Sequence, residues 1–251
     1  MSTADPARAD KLAFYLLKSL NKALRQYRML AASDRVLVAV SGGKDSLTLL
    51  DLLWRRQRSA PDRIHLSAAH ITSDSSCGRS VGLEWLQTYC DARHIPLAVR
   101  DIALREELAA THLSPCFRCA WLRRKALFEL ADASGCNVMA FGHHADDIAE
   151  TTLMNLFYNA RFRRMEPKMR LFDGRLTLIR PLALIEEREI TPFVAASDFP
   201  ISGTACSYSA DSRRTLMRRI LREVEADCCD AKRHIYRAIE HYQENSHDTD
   251  D

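Results

Sequence analysis

Short apolar runs alternate with helical patterns along this 251-residue chain, and that alternation restricts its fold more than any other feature. Buried parallel strands are short, apolar and rich in β-branched residues. Strands that alternate with helices pair in parallel, because each helix returns the chain to the same edge of the sheet. The predicted strands are VLVAV (36–40), IHLSAAHI (64–71), PLAVRDI (96–102), NVMAFG (137–142) and RLTLIRPL (175–182). We therefore predict an α/β fold with an open, mostly parallel sheet and helices on both faces.

Apolar side chains at helical spacing predict the helices around these strands. The predicted helices span residues 10–32, 46–58, 82–94, 119–135, 146–160 and 186–197. After Pro200 the composition changes to one or two basic helices. We expect three parts: an N-terminal helical segment (1–33), a central α/β domain (34–200) and a basic, helical C-terminal segment (201–251).

Composition limits the cellular setting of the chain. No apolar run approaches the roughly 20 residues that a membrane span needs, and the polar N-terminus lacks the apolar core of a secretion signal. We expect a cytoplasmic protein that does not associate with membranes. The eight cysteines are then thiols rather than a disulfide framework. The net charge of +3 imposes no global field, so the distribution of charge matters more than its sum.

The glycine loop SGGKDS (41–46), between the first predicted strand and a helix, is the strongest motif. Backbone N–H groups and the positive end of a helix favour phosphate at such a turn. A Walker loop would need a glycine where Val38 stands, and the Rossmann glycine pattern is absent. A turn whose glycines serve packing alone is the plain structural alternative.

Three further strings join the glycine loop in a family resemblance: CFRC (116–119), FGHHADDIAETTLMNLFYNARFRRMEPKM (141–169) and IRPL (179–182). Together they resemble the PP-loop ATP-pyrophosphatase superfamily, and within it the chain is similar to the tRNA 2-thiocytidine synthetases. The resemblance implies a PP-loop, adenine nucleotide α-hydrolase-like fold in the central domain. It also implies ATP-dependent tRNA thiolation: ATP adenylates the C2 oxygen of an anticodon-loop cytidine, and sulfur then replaces AMP to give 2-thiocytidine.

The resemblance also implies which residues bind ATP and Mg²⁺. Asp45 acts in catalysis, either at the pyrophosphate end of ATP or as a ligand of Mg²⁺, which prefers carboxylate and phosphate oxygens. Lys44 neutralises phosphate charge, and the adenine lies near Ala69 and His70. The remaining nucleotide-binding residues are Ser41, Gly42, Gly43, Ser46, Gly142, His143, Asp147 and Arg180.

Structural alternatives exist for several of these assignments. Asp146 or Asp147 can serve as the cap of the helix that begins there. Arg180 can pair with a helix carboxylate instead of a phosphate. A zinc site formed by the paired histidines and aspartates is disfavoured, because the spacing does not match HExxH.

Cys116 and Cys119 stand three residues apart at a helix start, which places both sulfurs on one face and favours thiolates. The resemblance implies that both are catalytic and that they hold a [4Fe–4S] cluster with Cys206 as the third ligand. The alternative third ligands are Cys136, Cys228 and Cys229. A persulfide relay or a redox-active dithiol is a rival use of the pair.

Two basic clusters, RFRRMEPKMR (161–170) and RRTLMRRILR (213–222), indicate contact with the anticodon loop of tRNA. Phe162 or Tyr158 could stack on a base there, whereas the plain alternative is a solvated helix face. We expect a sulfur donor such as a cysteine desulfurase, and a homodimer is compatible with the sequence. The rival functions are a cluster-free adenylating tRNA ligase or amidotransferase and a non-catalytic nucleotide- or metal-binding regulator.

Overall fold

The computed structural model describes residues 5–59, 63–74, 80–109, 114–203 and 213–247. Within them a six-stranded sheet has the order β3-β2-β1-β4-β6-β5. All neighbouring strands are parallel except β5 and β6, which are antiparallel. The strands are β1 (Arg35–Ala39), β2 (His65–Ser73), β3 (Leu97–Ile102), β4 (Val138–Phe141), β5 (Lys168–Leu171) and β6 (Leu176–Ile179). This architecture confirms the predicted α/β fold with a mostly parallel sheet.

Helices cover both faces of the sheet and extend beyond it at both ends of the chain. They are α1 (Pro6–Gln26), α2 (Lys44–Gln57), α3 (Leu83–Asp91), α4 (Leu104–Ala109), α5 (Pro115–Ala133), α6 (Ala145–Asn159), α7 (Glu187–Ser197), α8 (Arg213–Asp227) and α9 (Ala231–His247). None of the helices in the described ranges is long and apolar enough to cross a membrane.

The core consists of two clusters, one on each face of the sheet, because successive side chains of a strand point to opposite faces. Val36 and Val38 of β1 pack with α1, α2, α3 and α7. Leu37 and Ala39 pack on the other face, mainly against α5. The N-terminal helix α1 thus shares a core with the central strands, while the segment boundaries at residues 33 and 200 stay predictions.

The structure corrects three details of the sequence-based assignment. The first helix ends at Gln26 rather than at residue 32, since Arg28 adopts a φ of +46° that no α-helix contains. Helix α4, which is only six residues long, was not predicted. Strand β5 was not predicted either, because it is an edge strand with little buried surface inside the basic run 161–170.

The strand order creates a crevice at the carboxyl end of β1. The chain passes from β1 to β2 on one side, whereas β4 lies on the other side of β1. In open α/β sheets this reversal of direction separates the loops after the two strands and leaves space for a ligand. The glycine loop follows β1 and the FGHHADD string follows β4, so the fold brings both motifs to this crevice.

Candidate nucleotide-binding site

The glycine loop turns the chain sharply from β1 into α2. Gly42 has a φ of +83°, and a Cβ atom there would lie 2.9 Å from the Cβ atom of Ser80. Only glycine adopts this conformation without strain. The Ser46 hydroxyl donates to the carbonyl of Gly43 at 2.9 Å, and the Ser41 hydroxyl lies 3.1 Å from that of Ser46. No described side chain caps α2 at Gly43, which leaves its first N–H groups suited to an anion.

Gly142 holds the loop after β4 directly against the glycine loop. A Cβ atom at Gly142 would lie 2.9 Å from the carbonyl carbon of Asp45 and 2.9 Å from the backbone nitrogen of Ser46. Backbone atoms cannot move aside as a flexible side chain can. The two motifs can therefore meet this closely only because residue 142 has no side chain.

A cavity of about 390 Å³ opens where these loops meet. Its size falls within the range of small-molecule sites. The ends of β1, β2 and β4, the two loops and one side of α5 form its walls. The lining residues are Ala39, Val40, Ser41, Asp45, Ser46, Ala69, Ile71, Ala120, Arg123, Arg124, Leu127, Phe141, Gly142, His143 and Asp147. Six of the predicted nucleotide-binding residues thus share this one cavity: Ser41, Asp45, Ser46, Gly142, His143 and Asp147.

Adjacent histidines after β4 have opposite pKa shifts. Burial lowers the pKa of His143 to about 4, and the cations of Arg180 and Arg214 act in the same direction against the carboxylate of Asp147. Its buried Nδ1 atom finds no hydrogen-bond partner among the described residues. Burial also opposes charge on His144, but the carboxylates of Asp146 and Asp147 outweigh it and raise its pKa. A neutral imidazole therefore faces the cavity beside a readily protonated one.

The basic wall of the cavity comes from Arg123 and Arg124 on α5, which the sequence analysis did not single out. Arg123 donates to the carbonyl of Ile71 at 2.8 Å, which fixes its guanidinium at the end of β2. Burial lowers the pKa of Arg180 to about 10, and the positive charge of Arg124 acts in the same direction. The RR pair directly follows the CFRCAWL string, so its position one helical turn after the cysteines was the available signal.

Helix α5 also carries the predicted cluster cysteines in its first turn. Cys116 is exposed and Cys119 is half-buried. The Sγ atom of Cys119 lies 3.4 Å from Nε of Arg123. Ala120, the next residue, lines the cavity. The cysteine pair thus lies at the edge of the glycine-loop cavity rather than behind packed core.

The other candidate cysteines lie elsewhere or outside the described residues. Cys206, the predicted third cluster ligand, falls outside the described ranges. Cys136 precedes β4 at the opposite end of the sheet and contacts Ser67. Cys228 contacts His234 at 3.7 Å, and Cys229 lines a separate polar cavity between α6, α7, α8 and α9. The described part of the chain contains no group of three metal-binding side chains, and the ligand set stays a prediction.

Five predicted nucleotide-binding residues do not line the cavity: Gly42 and Gly43 form the turn beside it, and Lys44, His70 and Arg180 make other contacts. Lys44 forms ion pairs of 2.7 Å with Asp45 and 2.8 Å with Glu187; burial alone would lower its pKa, but these carboxylates raise it. The His70 ring contacts the carbonyl of Val40 at 2.7 Å, and its neighbours Ala69 and Ile71 line the cavity instead. Arg180 is buried and donates to the carbonyl of Glu166, with its Nε atom unpartnered among the described residues. Their roles in binding stay predictions.

Helices α8 and α9 attach to the start of α6 through ion pairs. Arg214 contacts Asp147 at 3.1 Å and Glu150 at 3.2 Å, and Arg218 contacts Glu150 at 2.7 Å. Lys232 lies 2.5 Å from Asp146, and this cation together with His144 lowers the pKa of Asp146 despite its burial. Asp146 also accepts from the backbone of Glu187. The C-terminal helices therefore hold the carboxylates beside the cavity.

Comparison with known proteins shows the family to which the chain belongs. A family model described as a PP-loop domain matches residues 15–224. The tRNA-cytidine(32) 2-sulfurtransferase of Geobacter sulfurreducens is 37% identical over 238 residues, which are 93% of this chain and 92% of the relative. The enzyme of the same name from Xanthomonas campestris pv. campestris (strain 8004) is 36% identical over 217 residues, 85% of this chain and 71% of the relative.

A solved structure shares the fold. The U34-tRNA thiolase NcsA from Methanococcus maripaludis with its [4Fe-4S] cluster superposes with a TM-score of 0.74 at 22% identity, covering 94% of this chain and 80% of that chain. The chain belongs to the PP-loop family, as its strand–glycine loop–helix unit indicates. Within that family it is of the tRNA-cytidine 2-sulfurtransferase type, and it is accordingly a transferase enzyme. The predicted family resemblance is confirmed.

Proposed function

We propose that this enzyme uses ATP to adenylate the C2 oxygen of a cytidine in the anticodon loop of tRNA and then exchanges that oxygen for sulfur. One observation supports the proposal most directly: the glycine loop, the loop after β4 and the stretch of α5 that directly follows the cysteine pair line one cavity. The names of the relatives, tRNA-cytidine(32) 2-sulfurtransferase, support tRNA as the substrate.

In this proposal the phosphates of ATP bind the uncapped start of α2, where backbone N–H groups and the Ser41 and Ser46 hydroxyls converge. Mg²⁺ typically binds one or two carboxylates together with substrate phosphates. Asp45 supplies such a carboxylate at the cavity wall, and Asp147 supplies a second one. The adenine then occupies the apolar side of the cavity at Ala69 and Ile71.

The chemistry consists of two displacements. The C2 oxygen attacks the α-phosphorus of ATP, and the bond from that phosphorus to the bridging oxygen breaks so that pyrophosphate leaves with the electron pair. A sulfur nucleophile next attacks C2, and the bond from C2 to oxygen breaks as AMP leaves. Both steps develop negative charge on phosphate oxygens, which fixed cations stabilise. Arg123 and Arg124 supply those cations from α5.

The donor set on α5 fits an iron–sulfur cluster. Cys116 and Cys119 share one helical turn at the cavity edge, with the guanidinium of Arg123 beside Cys119. Cysteine sulfurs are the usual ligands of iron–sulfur clusters. These two residues and, as the proposed third ligand, Cys206 would hold the [4Fe–4S] cluster. Bound by three cysteines, such a cluster offers one iron position to an external sulfide.

The test is nucleoside analysis of tRNA after anaerobic incubation with the enzyme, ATP, Mg²⁺ and sulfide. We expect 2-thiocytidine only when ATP is present, with loss of the product and of the brown iron–sulfur chromophore in Cys116→Ser and Cys119→Ser. ATP-dependent release of pyrophosphate by a colourless protein would instead support the cluster-free ligase. Absence of any nucleotide turnover would support the regulator. A desulfurase donor and a homodimer stay predictions.

A further inference from the structure

The side of α5 that faces solvent carries two exposed aromatic residues. Phe117 is 60% exposed and Trp121 is 42% exposed. They stand four residues apart, so they are neighbours on the helix surface. Large aromatic side chains at this exposure leave a considerable apolar area in water, which a ligand could cover.

This aromatic pair adjoins the cavity. Arg124 lines the cavity and follows Trp121 by three residues, and Ala120, which also lines it, follows Phe117 by three. Residues three or four apart lie on the same side of a helix. The aromatic surface therefore adjoins the wall of the cavity, and Phe117 stands between the two cysteines in the sequence.

Cations surround the aromatic pair. The Arg118 guanidinium lies 4.6 Å from the centre of the Trp121 ring, and the Lys125 ammonium lies 5.6 Å from it. The opposing carboxylates are Glu107, which pairs with Arg118, and Glu129, which pairs with Lys125 and with Arg100.

Arg124 forms no hydrogen bond or ion pair within the described part of the chain. With Arg123 it adds positive charge that the carboxylates near the aromatic pair do not neutralise. The surface around Phe117 and Trp121 therefore keeps a positive balance toward the cavity, which suits an anionic partner.

We propose that Phe117, Trp121 and Arg124 form a stacking platform for unpaired bases that flank the target nucleotide of an RNA loop. The inference rests on the proposed function, because it names how the same substrate is held. Unpaired bases stack on aromatic rings and on guanidinium planes, while basic side chains nearby hold the phosphates. The mixture of rings and cations on α5 fits RNA.

The chain offers a matched control on α1. Phe14 is 56% exposed, and the Lys18 ammonium lies 4.5 Å from its ring centre. This pair reproduces the contact of Trp121 with Lys125, in which an ammonium lies over an aromatic ring four residues earlier on the helix. Because α1 packs on the other face of the sheet from α5, Phe14 lies away from the cavity.

The experiment measures the dissociation constant of an anticodon stem-loop RNA for wild type, Trp121→Ala, Trp121→Phe and Phe14→Ala. We expect Trp121→Ala to weaken binding roughly 5- to 150-fold, the range for loss of one base–aromatic stack. Trp121→Phe should retain most of the affinity, and Phe14→Ala should bind as wild type does. Wild-type tryptophan fluorescence should be quenched by the RNA, with the quenching strongly reduced in Trp121→Phe.

Unchanged RNA affinity in Trp121→Ala, or an equal loss in Phe14→Ala, would overturn the platform. Thiolation supplies a second readout: if Trp121→Ala impaired it with a protein sulfur donor but not with inorganic sulfide, the surface would bind a protein instead. Because RNA binding needs no sulfur transfer, the affinity measurement stays interpretable even if the wild type fails to thiolate. Failure of the proposed function and failure of the platform are thus separable.

Discussion

Two charged regions beside the same crevice differ in how completely their charges are paired. In the C-terminal ion-pair interface, formed by Asp146, Glu150, Arg214, Arg218 and Lys232, each carboxylate meets one or more cations from α8 or α9. At the cavity wall, the buried Nδ1 atom of His143 has no hydrogen-bond partner among the described residues, and the guanidinium of Arg124 is exposed to solvent. The first region joins α8 and α9 to α6, and the second is available to a ligand.

Burial explains this difference. Glu150 is 1% exposed, and a buried carboxylate is costly unless it is paired. It is paired with arginines more than 60 residues away in the sequence. The basic run 213–222, which predicted an RNA contact, therefore uses Arg214 and Arg218 internally. Only its outward residues, such as Arg219, remain for a nucleic acid.

The largest expected effect comes from Gly142→Val at the cavity. The new side chain would collide with the backbone of Asp45 and Ser46, so the two loops must separate. We expect ATP-dependent turnover to fall by about 100-fold or more, as misplaced binding groups commonly cost that much. Calorimetric titration of the folded variant with ATP measures the nucleotide affinity on which this turnover depends. Wild-type nucleotide affinity would contradict the close approach of the loops.

Glu150→Gln tests the C-terminal ion-pair interface and should act on stability more than on ATP binding. Breaking a fully buried pair costs about 3–5 kcal/mol, but Arg214 and Arg218 are over a third exposed, so solvent screens part of the loss. We expect the free energy of unfolding to fall by about 1–2 kcal/mol. Urea denaturation checks this, with Glu223→Gln on the outer side of α8 as the control. If Glu150→Gln and Glu223→Gln lowered the free energy of unfolding equally, the C-terminal ion-pair interface would stabilise the protein no more than an exposed pair does.

The histidine pair predicts a pH dependence of opposite sign at neighbouring positions. Burial lowers the pKa of His143, so its contribution to stability is present above pH ~6.5 and is lost as the pH falls toward about 4. The carboxylates raise the pKa of His144 against its burial, so its contribution is full below pH ~6.5 and is lost as the pH rises through the raised value.

Thermal unfolding of wild type, His143→Gln and His144→Gln from acid to alkaline pH measures both signs. We expect His143→Gln to reduce the acid loss of stability and His144→Gln to remove the loss that accompanies the rise in pH through the raised pKa of His144. Curves that run parallel to the wild type in both variants would show that neither histidine titrates as its surroundings require.

The smallest effect is expected for Arg219→Ala. Arg219 is 72% exposed and lies 3.9 Å from the equally exposed Glu223. Such pairs contribute at most about 1 kcal/mol, so unfolding should change by less than that. If the outer side of α8 binds tRNA, the KM for tRNA should rise modestly at unchanged kcat and the salt dependence should weaken. An unchanged KM would show that Arg219 on the outer side of α8 does not contact tRNA.

Local patterns made much of this molecule predictable. The strands, the glycine loop and the FGHHADD loop follow from apolar periodicity and from glycines at strand ends, and the parallel sheet then brings Ser41 and His143 together. What the sequence did not reveal depends on distant partners. Arg214 pairs with Asp147, which lies 67 residues away in the sequence. Strand β5 lies at the edge of the sheet and pairs with β6. The sequence did not indicate a binding role for Arg124, because only the structure shows that α5 forms one wall of the cavity.

The most direct test of the central claim is an anaerobic crystal structure of the enzyme with Mg²⁺ and a non-hydrolysable ATP analogue. The account predicts phosphates at the start of α2, the α-phosphate facing Arg124, and the base against Ala69 and Ile71. The cysteine-bearing turn of α5 should border the same nucleotide. A nucleotide bound in the polar cavity between α7 and α8, or one screened from Cys116 by core side chains, would contradict it.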